Sequence, residues 1–356
     1  MSPDRVLIAG AGLAGACAAF VLSEHAEVTV LEADRPAAGA SQAAAGLVNP
    51  LMGRRANSVW RLRDALAAVP DLLDRAGAAD LFPQRGVLRP TTEEKQVEFF
   101  RDAVQEHPDV AEWMPEGEVR ERFPDVQTVD GAMLIPDGGA IDVPAMVHAL
   151  LDAAADRGAT VETGVRVTGW EESGRKAVLE VDREGSPGRS TADLALLCLG
   201  QGYPGLDPLE DLGLRGIKGQ TVTVQRPPTS NRGDLIPMSG RGYVVPEPDG
   251  TLTCGSSYSN DFDDLSPEPE QTAYILDKTS KMLPGIDAME PLDVRAGVRV
   301  KTESTNLPIV GPMPGHDRIW TLTALGSKGL LTAPMLSLEL LGYLRDPATI
   351  PEPVRL

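Results

Sequence analysis

A glycine pattern near the start of the chain constrains the fold more than any other feature. Gly10, Gly12 and Gly15 form G-x-G-x-x-G directly after the apolar run Arg5–Ala9, and a second apolar run ends at Glu32, 22 residues after the first glycine. Gly10 permits a tight turn, Gly12 lets the backbone approach a pyrophosphate, and Gly15 lets a helix pack closely on a strand. An acid at the end of the second strand can accept a hydrogen bond from a ribose hydroxyl.

The residues around this pattern fit a β-α-β unit. Arg5–Ala9 is suited to a buried parallel strand, the residues from Ala14 to about Ser23 favour a helix, and Glu27–Leu31 is suited to a second strand. The sequence therefore predicts a dinucleotide bound at the N-terminus of the first helix, where free N–H groups and the helix dipole favour phosphate.

A second copy of the glycine pattern occurs later in the chain. Gly200, Gly202 and Gly205 follow the apolar run Leu194–Leu199, but Pro204 stands where the helix of the motif would start, and no strand ending in an acid follows. We interpret this segment as a strand end that turns into a loop. A single dinucleotide site argues against enzymes that bind two nucleotides, such as NADPH-dependent flavin hydroxylases and disulfide reductases.

Composition narrows the function classes further. The 356 residues carry a formal charge of −19 and no run of Lys or Arg, so we expect no nucleic-acid partner. Cys17, Cys198 and Cys254 are far apart and indicate buried thiols in a reducing compartment, and the four histidines show no metal-ligand spacing. The glycine-broken apolar N-terminus is interpreted as part of the fold rather than a signal peptide, and no other run reaches about 18 apolar residues. We expect no membrane span and a cytoplasmic location.

The segment after Glu32 does not continue with the further β-α-β units of a nicotinamide dehydrogenase. It reads DRPAAGASQAAAGLVNPLMG, in which Gly39, Ala40, Ser41 and Gly46 are among many small residues. Small side chains allow a flat ring and phosphates to lie along the backbone. A flexible alanine-rich linker is the alternative interpretation of this stretch.

Five segments spread over the whole chain carry a resemblance to a known family. They are GAGLAG…LEAD with GASQAAAG, IPDGGAIDVPAMVHALLDAAADRGATVETGVRVTGWEE, IKGQ with Lys218 where the family has arginine, RGYVVPEPDGTLTCGSS, and AGVRVKTESTNLPIVGP. In this order they resemble the FAD-dependent amine and amino-acid oxidases of the D-amino acid oxidase superfamily. Two branches look most similar: glycine oxidase, and the oxidase domain of the bifunctional enzyme that trims a carboxymethylaminomethyl group on a tRNA wobble uridine.

The resemblance implies an α/β fold with a Rossmann-type FAD-binding domain and a mostly antiparallel β-sheet substrate domain. The length also favours two domains. The FAD domain is expected to be discontinuous, from residues 1–80, 140–212 and 296–356, and the substrate domain to comprise 81–139 and 213–295. Strands of the second domain are expected in TVTVQ, RGYVVP and TLTCG, and helices in Trp60–Ala76 and Thr92–Glu106 are interpreted as packing and surface elements.

The resemblance also implies which residues hold the cofactor, which we expect to be non-covalently bound FAD. Val165, at the start of a strand, is expected to meet the adenine through its backbone. The full set comes from the first β-α-β unit, the small-residue loop, two later strand ends and a loop near the C-terminus: Gly10, Gly12, Leu13, Ala14, Gly15, Glu32, Ala33, Ala40, Ser41, Gln42, Ala45, Gly46, Leu47, Val165, Gly200, Gly326, Ser327, Lys328, Gly329 and Leu330.

Three residues are implied at the reacting centre. Arg299, in AGVRV, matches the family's carboxylate-binding arginine, and Tyr243, in GYVVP, matches a tyrosine that shares this task. Lys328 is expected to face the flavin pyrimidine from a loop before a helix that runs from about Leu330 to Leu344, with Pro334 in its first turn. The alternatives are a surface ion pair for Arg299, a core aromatic for Tyr243 and a solvent-exposed lysine for Lys328.

Two departures from the family pattern are present, and the second of them shifts the expected substrate. Val300 replaces the proline after the clamp arginine, and ALGSKG replaces Gly-His-Tyr/Phe-Arg-Asn-Gly, so that this segment resembles the tRNA-modifying branch, which cleaves an N-substituted glycine. We therefore expect an oxidase that transfers a hydride from the glycine Cα of R–NH–CH2–COO⁻ to flavin N5. Glyoxylate and R–NH2 are the expected products, and O2 is expected to reoxidise the flavin and yield H2O2.

Three alternative functions stay open. The first is removal of the carboxymethyl group on a tRNA wobble uridine, which the charge of −19 disfavours because phosphate neutralisation supplies much of RNA affinity. The second is a D-amino-acid or sarcosine-type oxidase, and the third is a flavin dehydrogenase that passes electrons to a partner. The sequence indicates neither the substituent R nor the oligomeric state.

Overall fold

The computed structural model describes residues 3–83, 85–230 and 232–356, which form eight α-helices and twenty β-strands. The helices are α1 (Leu13–Leu22), α2 (Leu62–Arg75), α3 (Glu94–Glu106), α4 (Glu116–Arg122), α5 (Val143–Ala155), α6 (Asp207–Glu210), α7 (Pro269–Ser280) and α8 (Gly329–Arg345). The strands are β1 (Arg5–Ala9), β2 (Glu27–Glu32), β3 (Leu47–Val48), β4 (Leu51–Met52), β5 (Asn57–Ser58), β6 (Arg85–Pro90), β7 (Glu112–Pro115), β8 (Gly131–Ala140), β9 (Thr160–Thr163), β10 (Val165–Ser173), β11 (Lys176–Arg183), β12 (Ser186–Ala192), β13 (Leu194–Leu197), β14 (Leu214–Gln225), β15 (Met238–Ser239), β16 (Tyr243–Pro246), β17 (Thr251–Gly255), β18 (Pro291–Thr302), β19 (Ile309–Pro312) and β20 (Ile319–Thr323).

A six-stranded sheet holds the predicted β-α-β unit at its centre. Its strand order is β19-β20-β13-β1-β2-β9, and every neighbouring pair is parallel except β19 with β20. The strands β1 and β13 are apolar runs that lie buried between helices and a second layer of strands, as central parallel strands require. The predicted first strand is confirmed residue for residue, and the segment after β13 is confirmed as a strand end followed by a short 3₁₀ turn at Gly200–Gly202.

The helix α1 lies at the centre of the larger hydrophobic core. All ten of its residues are buried, because it packs on β1 and β2 and also against α5 and α8. Such a helix needs apolar residues on every side rather than on one stripe. Its small residues, such as Ala14, Ala18 and Ala19, let these neighbours approach closely.

The second large sheet has nine strands and is almost entirely antiparallel. Its order is β18-β14-β17-β16-β15-β6-β8-β3, with β7 paired to β8, and only β6 with β15 is parallel. It contains the predicted strands TVTVQ and TLTCG, within β14 and β17, and the last four residues of RGYVVP, which form β16. A separate antiparallel sheet, β10-β11-β12, begins at Val165. The structure therefore confirms the α/β class with a Rossmann-type parallel sheet and a mostly antiparallel second sheet.

Strand pairing crosses the predicted domain division at β18. The residues from 296 to 302 were expected in the first domain, but they form part of β18 and pair with β14 in the nine-stranded sheet. The division into two domains stays a prediction. Among the residues that the structure describes, every helix is too short or too polar to cross a membrane.

The predicted helices occur with small shifts, and α8 needs a correction. α2 and α3 fall within the predicted stretches, two residues inside the start of each. α8 begins at Gly329, one residue earlier than expected, so Pro334 lies in the second turn and not in the first. A proline there removes the N–H that would bond the Leu330 carbonyl, and the helix tolerates this loss because the surrounding residues pack it tightly in the core.

Replacing Gly15 by alanine tests the close packing of α1. A Cβ on Gly15 would lie 1.9 Å from the Gly10 carbonyl oxygen, which belongs to the buried backbone of the turn. We expect Gly15→Ala to lower the free energy of unfolding by about 2–4 kcal/mol, measured by thermal or urea unfolding.

Gly117→Ala is the matched control for that measurement. Gly117 lies in α4, and a Cβ on it would meet no atom within 4 Å, so this change is expected to leave stability within about 0.5 kcal/mol or to raise it slightly. Equal stability of the two variants would contradict the predicted close contact.

Candidate active site

The turn between β1 and α1 has the geometry of a dinucleotide site. Gly10 adopts φ +101°, and a Cβ on it would lie 2.5 Å from the Cys198 carbonyl oxygen, so only glycine fits there. Gly12 differs, because the nearest atom to a Cβ on it is Ser41 Oγ at 3.7 Å. The space above Gly12 is therefore open from the protein side, as the approach of a pyrophosphate to the backbone requires.

Two side chains organise the start of α1. The Leu13 N–H donates to Ser41 Oγ over 3.1 Å, so the small-residue loop provides a hydrogen-bond partner for the first turn. Glu32 accepts from the Ala11 N–H at 2.7 Å and from the Asp34 N–H at 2.9 Å. These bonds fix its carboxylate at the end of β2 and leave lone pairs on both oxygens for a ribose.

An open cleft continues from the end of β2 toward β9 and β10. Its volume is about 460 Å³, and it is lined by Ala33, Asp34, Thr163, Gly164, Arg166, Asp182, Glu184 and Gly185. Val165 lies between two of these residues, so its backbone borders the cleft. Ala33, predicted to bind the cofactor, and Val165, predicted to meet its adenine, therefore lie at the same cleft, although they are far apart in the chain.

The small-residue loop is held between the two large sheets. Ala40–Ala43 forms a 3₁₀ turn, and the strand β18 passes so close that a Cβ on Gly297 would lie 3.0 Å from the Ala43 Cβ. Gly46 adopts φ +66° and has no room for a Cβ beside the Ile141 carbonyl. Its successor Leu47 starts β3, which pairs with β8. The stretch is thus an ordered part of the site and not a flexible linker.

Not every predicted cofactor residue shows a contact that points to the cofactor. The Gln42 amide oxygen accepts from Arg35 Nη2 at 2.7 Å, in an exposed position. Gly200 adopts φ +52° with open space around it. Ala45 is half-buried. Their roles at the cofactor stay predictions.

The predicted clamp arginine lies flat across the sheet. Arg299, on β18, passes over Gly219 of β14, where a Cβ would stand 1.9 Å from Arg299 Nη2. Nη1 donates to Ser256 Oγ at 3.3 Å and Nη2 donates to the Ser257 carbonyl at 2.9 Å. Within the described part of the chain, Arg299 forms no ion pair with an Asp or Glu. A partly exposed guanidinium with that arrangement can receive an external carboxylate.

Tyr243 lies beside Arg299 on the same face of the sheet. It pairs with Gly255, and its ring covers that glycine so closely that a Cβ there would lie 2.2 Å from the tyrosine Cζ and hydroxyl. Burial raises the pKa of Tyr243, while the charge of Arg299 acts in the opposite direction. The hydroxyl therefore stays protonated and can donate a hydrogen bond to a carboxylate.

Tyr258 covers the outer side of the clamp. Its ring centroid is 4.3 Å from Arg299 Cζ, in a cation–π arrangement, and 62% of the residue is exposed. The clamp is therefore reached from solvent past an aromatic side chain that belongs to a loop rather than to a strand.

Lys328 lies at the N-terminus of α8, next to β18. Its Nζ donates to the Asn306 carbonyl at 3.3 Å, and burial lowers its pKa. Gly326 adopts φ +57° and donates its N–H to the Val300 carbonyl, which connects the loop to the strand that carries Arg299. Ser327 is exposed, and Gly329 and Leu330 form the first residues of the helix. Whether this loop meets the flavin stays a prediction.

The sequence-based prediction missed the residues that support the clamp. Ser256 and Ser257 are 4% and 3% exposed, and they supply the two acceptors for Arg299. Lys278, on α7, donates to the Ser256 carbonyl. A glycine inside a predicted strand indicates a close approach by another group, so Gly255, in TLTCG, was an available signal.

Comparison with known proteins identifies the family. The model of the FAD dependent oxidoreductase family (DAO) matches residues 5–341. The bifunctional protein MnmC of tRNA 5-methylaminomethyl-2-thiouridine biosynthesis from Idiomarina loihiensis is 27% identical over 340 residues, covering 93% of this chain and 54% of that protein. The chain thus spans about half the length of that relative. Glycine oxidase from Geobacillus kaustophilus is 25% identical over 350 residues, covering 94% of this chain and 90% of that protein.

Solved structures share the fold. The crystal structure of glycine oxidase from Geobacillus kaustophilus superposes with a TM-score of 0.83 at 22% identity, over 97% of this chain and 95% of that one. Iminodiacetate oxidase from Chelativorans sp. BNC1 superposes with a TM-score of 0.81 at 22% identity, over 99% and 98%. Together with the glycine turn, the ordered small-residue loop and Glu32, the match over residues 5–341 shows that the chain belongs to the DAO family of FAD-dependent oxidoreductases.

Proposed function

We propose that this flavoprotein oxidises the C–N bond of an N-substituted glycine, R–NH–CH2–COO⁻, and uses O2 as its electron acceptor. The observation that carries the proposal is the Arg299 guanidinium. It lies flat over Gly219 and beside Tyr243, with no carboxylate partner among the described residues. The planar guanidinium of Arg299 and the protonated hydroxyl of Tyr243 can together bind the carboxylate of a glycine unit.

The clamp stands next to the residues that would hold FAD. Gly297, two residues before Arg299 on the same face of β18, touches the Ala40–Ala43 turn. Gly12, Ser41 and Glu32 fit the phosphate and ribose parts of the cofactor, which we propose is bound non-covalently. When bound, FAD would supply the acceptor for a hydride from the glycine Cα, and O2 would take up the two electrons to give H2O2.

The chain's own residues would orient the substrate and exclude other poses. Arg299 and Tyr243 hold the carboxylate, so that rotation of the glycine unit is restricted and its Cα is presented in one direction. No protein base is required if the amine loses its proton on binding. The oxidised product is an imine, and water hydrolyses it to glyoxylate and R–NH2.

An N-substituted glycine is favoured over glycine by two observations. The segment Gly326–Leu330 reads GSKGL and departs from the pattern of glycine oxidase. In addition, the fold neighbours include an enzyme named iminodiacetate oxidase, whose substrate is itself an N-substituted glycine. Tyr258 covers the outer side of the clamp but is itself 62% exposed and lies in a loop, so a substituent R can extend past its ring to solvent.

Action on a tRNA wobble nucleoside is the second candidate, because MnmC is 27% identical to this chain. The two candidates share the clamp and differ in the size of R. A net charge of −19 opposes binding to an RNA backbone, so we favour a small substrate.

A substrate panel tests the proposal. The FAD-loaded protein is given glycine, sarcosine, iminodiacetate, larger N-alkylglycines and D-alanine, and H2O2 and glyoxylate are measured. We expect turnover with at least one N-substituted glycine at a higher kcat/KM than with glycine or D-alanine. The flavin is also reduced with substrate in the absence of air, and its absorbance is followed after air is admitted. A flavin that stays reduced in air would exclude O2 as the electron acceptor.

Replacing Arg299 by methionine tests the clamp. We expect KM for the accepted substrate to rise by about 100-fold or more, because a charge-assisted bidentate pair is lost. Arg295→Met is the control: Arg295 lies on the same strand and pairs with Asp293 on the surface. An Arg299→Met enzyme with an unchanged KM would show that the carboxylate binds elsewhere.

Gly219→Ala tests the position of the guanidinium without removing it. The new Cβ would occupy the place of Arg299 Nη2, so the side chain must move off the sheet. We expect KM to rise by about 10-fold or more while FAD content stays at one per chain, because misplacement of a clamp by about 1 Å is costly. Unchanged KM would mean that the clamp works from another position.

A further inference from the structure

Lys278 is a buried cation directly behind the clamp. It lies on α7, which packs against the opposite face of the nine-stranded sheet in one core with Val222, Val224, Val244, Cys254, Ile275 and Leu276. Lys278 falls on the apolar stripe of that helix, three residues after Ile275, and only 6% of it is exposed. Lysine is seldom buried to this extent unless its charge has a use or a partner.

The contacts of Lys278 do not include a carboxylate. Its Nζ donates to the Ser256 carbonyl and lies 4.7 Å from the centroid of the Tyr274 ring. Its Cε lies against Gly242, where a Cβ would stand 2.9 Å away. Among the described residues, no Asp or Glu forms an ion pair with Lys278. A buried ammonium without a counter-ion is costly, and an anion brought by a ligand would offset that cost.

Ser256 connects Lys278 to Arg299. Its carbonyl accepts from Lys278 Nζ, and its hydroxyl accepts from Arg299 Nη1 at 3.3 Å. The next residue, Ser257, accepts from Arg299 Nη2 and is tied to Gln220 by hydrogen bonds in both directions. Two cations from opposite faces of the sheet therefore converge on one buried turn. The turn lies between the two cations, and no Asp or Glu among the described residues forms an ion pair with either of them.

We propose that Lys278 is a positioning residue of the carboxylate clamp and supplies its second positive charge from behind the sheet. Through the Ser256 carbonyl it holds the turn on which the Arg299 guanidinium rests, and its charge adds to the attraction for an anion bound in front of Arg299. The inference rests on the proposed function, because it takes the ligand of Arg299 to be a carboxylate. It assigns Lys278 to binding and not to the oxidation step.

Acetate is a probe that separates carboxylate binding from turnover. It presents the carboxylate of a glycine unit without the amine, and its binding to the FAD-loaded protein can be followed through the flavin absorbance. We expect Lys278→Met to weaken acetate binding by about tenfold, since one of two converging charges is removed. The same variant is expected to raise KM for the accepted substrate by a similar factor and to leave kcat within about twofold.

Two further variants control for structure. Lys278→Arg keeps the charge and a donor for the Ser256 carbonyl, and we expect it to restore most of the acetate affinity. Lys281→Met removes the same charge from the end of the same helix, but Lys281 is exposed and pairs with Asp277. It is expected to leave acetate binding unchanged.

The pH dependence of acetate binding tests the role of Lys278 in the wild-type protein. This measurement therefore does not depend on whether a variant folds. Burial, and then the charge of Arg299, lower the pKa of Lys278 to about 8. Lys278 is therefore charged below that pH and neutral above it, so acetate affinity of the wild type is expected to fall between about pH 7 and about pH 9.

The variant Lys278→Arg controls for the other titratable groups around Lys278. They are Arg299, Tyr243, Tyr274 and Cys254; burial raises the pKa of Tyr243, and that of Cys254 to about 12. Lys278→Arg keeps all of these groups, and its guanidinium stays charged at every pH tested. We therefore expect the acetate affinity of this variant to stay constant between about pH 7 and about pH 9.

The outcomes are distinct. The inference is wrong if Lys278→Met changes both the acetate affinity and KM by less than twofold. It is also wrong if the acetate affinity of the wild type does not change with pH. Either result leaves the proposed oxidation of a glycine unit intact. A wild-type holoprotein that turns over amines but binds no acetate overturns the clamp itself, and the role of Lys278 with it.

Discussion

The site depends on the close approach of one strand to one turn. A Cβ on Gly297 of β18 would lie 3.0 Å from the Ala43 Cβ and 3.1 Å from the Ala40 Cα, so the nine-stranded sheet touches the loop that follows the dinucleotide motif. Because side chains two residues apart on a strand share a face, this contact also decides where Arg299 lies. The proposed clamp can come close to a flavin at this loop only if the two large sheets are in contact here, and Gly297 keeps their separation small.

Local patterns were sufficient to predict the β-α-β unit. The run Arg5–Ala9, the three glycines and Glu32 lie within one short segment, where chain geometry and burial act in the same direction. The start of α8 was less predictable. Proline is disfavoured inside a helix, yet Pro334 lies in the second turn, because tight packing around the helix outweighs one missing hydrogen bond.

The role proposed for Arg299 could be predicted from the sequence only through resemblance, and the residues that contact it could not be predicted at all. Nothing near Arg299 in the chain indicates Ser256, Ser257 or Lys278, which lie 43, 42 and 21 residues away in sequence. They meet because β14 pairs with both β17 and β18, and because α7 crosses the back of that sheet. The one local indication in the sequence was Lys278, a charged residue among the apolar positions of a helix. The overall acidity of the chain gave no hint of a cationic turn in its interior.

The two glycines under the clamp have a consequence for how enzymes on this scaffold can diverge. The Arg299 side chain lies directly over Gly219, and the Tyr243 ring lies directly over Gly255. A side chain at Gly219 would collide with Arg299, and one at Gly255 would collide with Tyr243. The sheet therefore does not tolerate side chains at the two positions under the proposed carboxylate site. Variation is left to the loop in front of the sheet, where Tyr258 is 62% exposed. In the proposed binding mode, the acid end of the substrate lies against rigid backbone and the amine end against a replaceable surface loop, so descendants of one enzyme could change the amine they release and keep the acid they recognise.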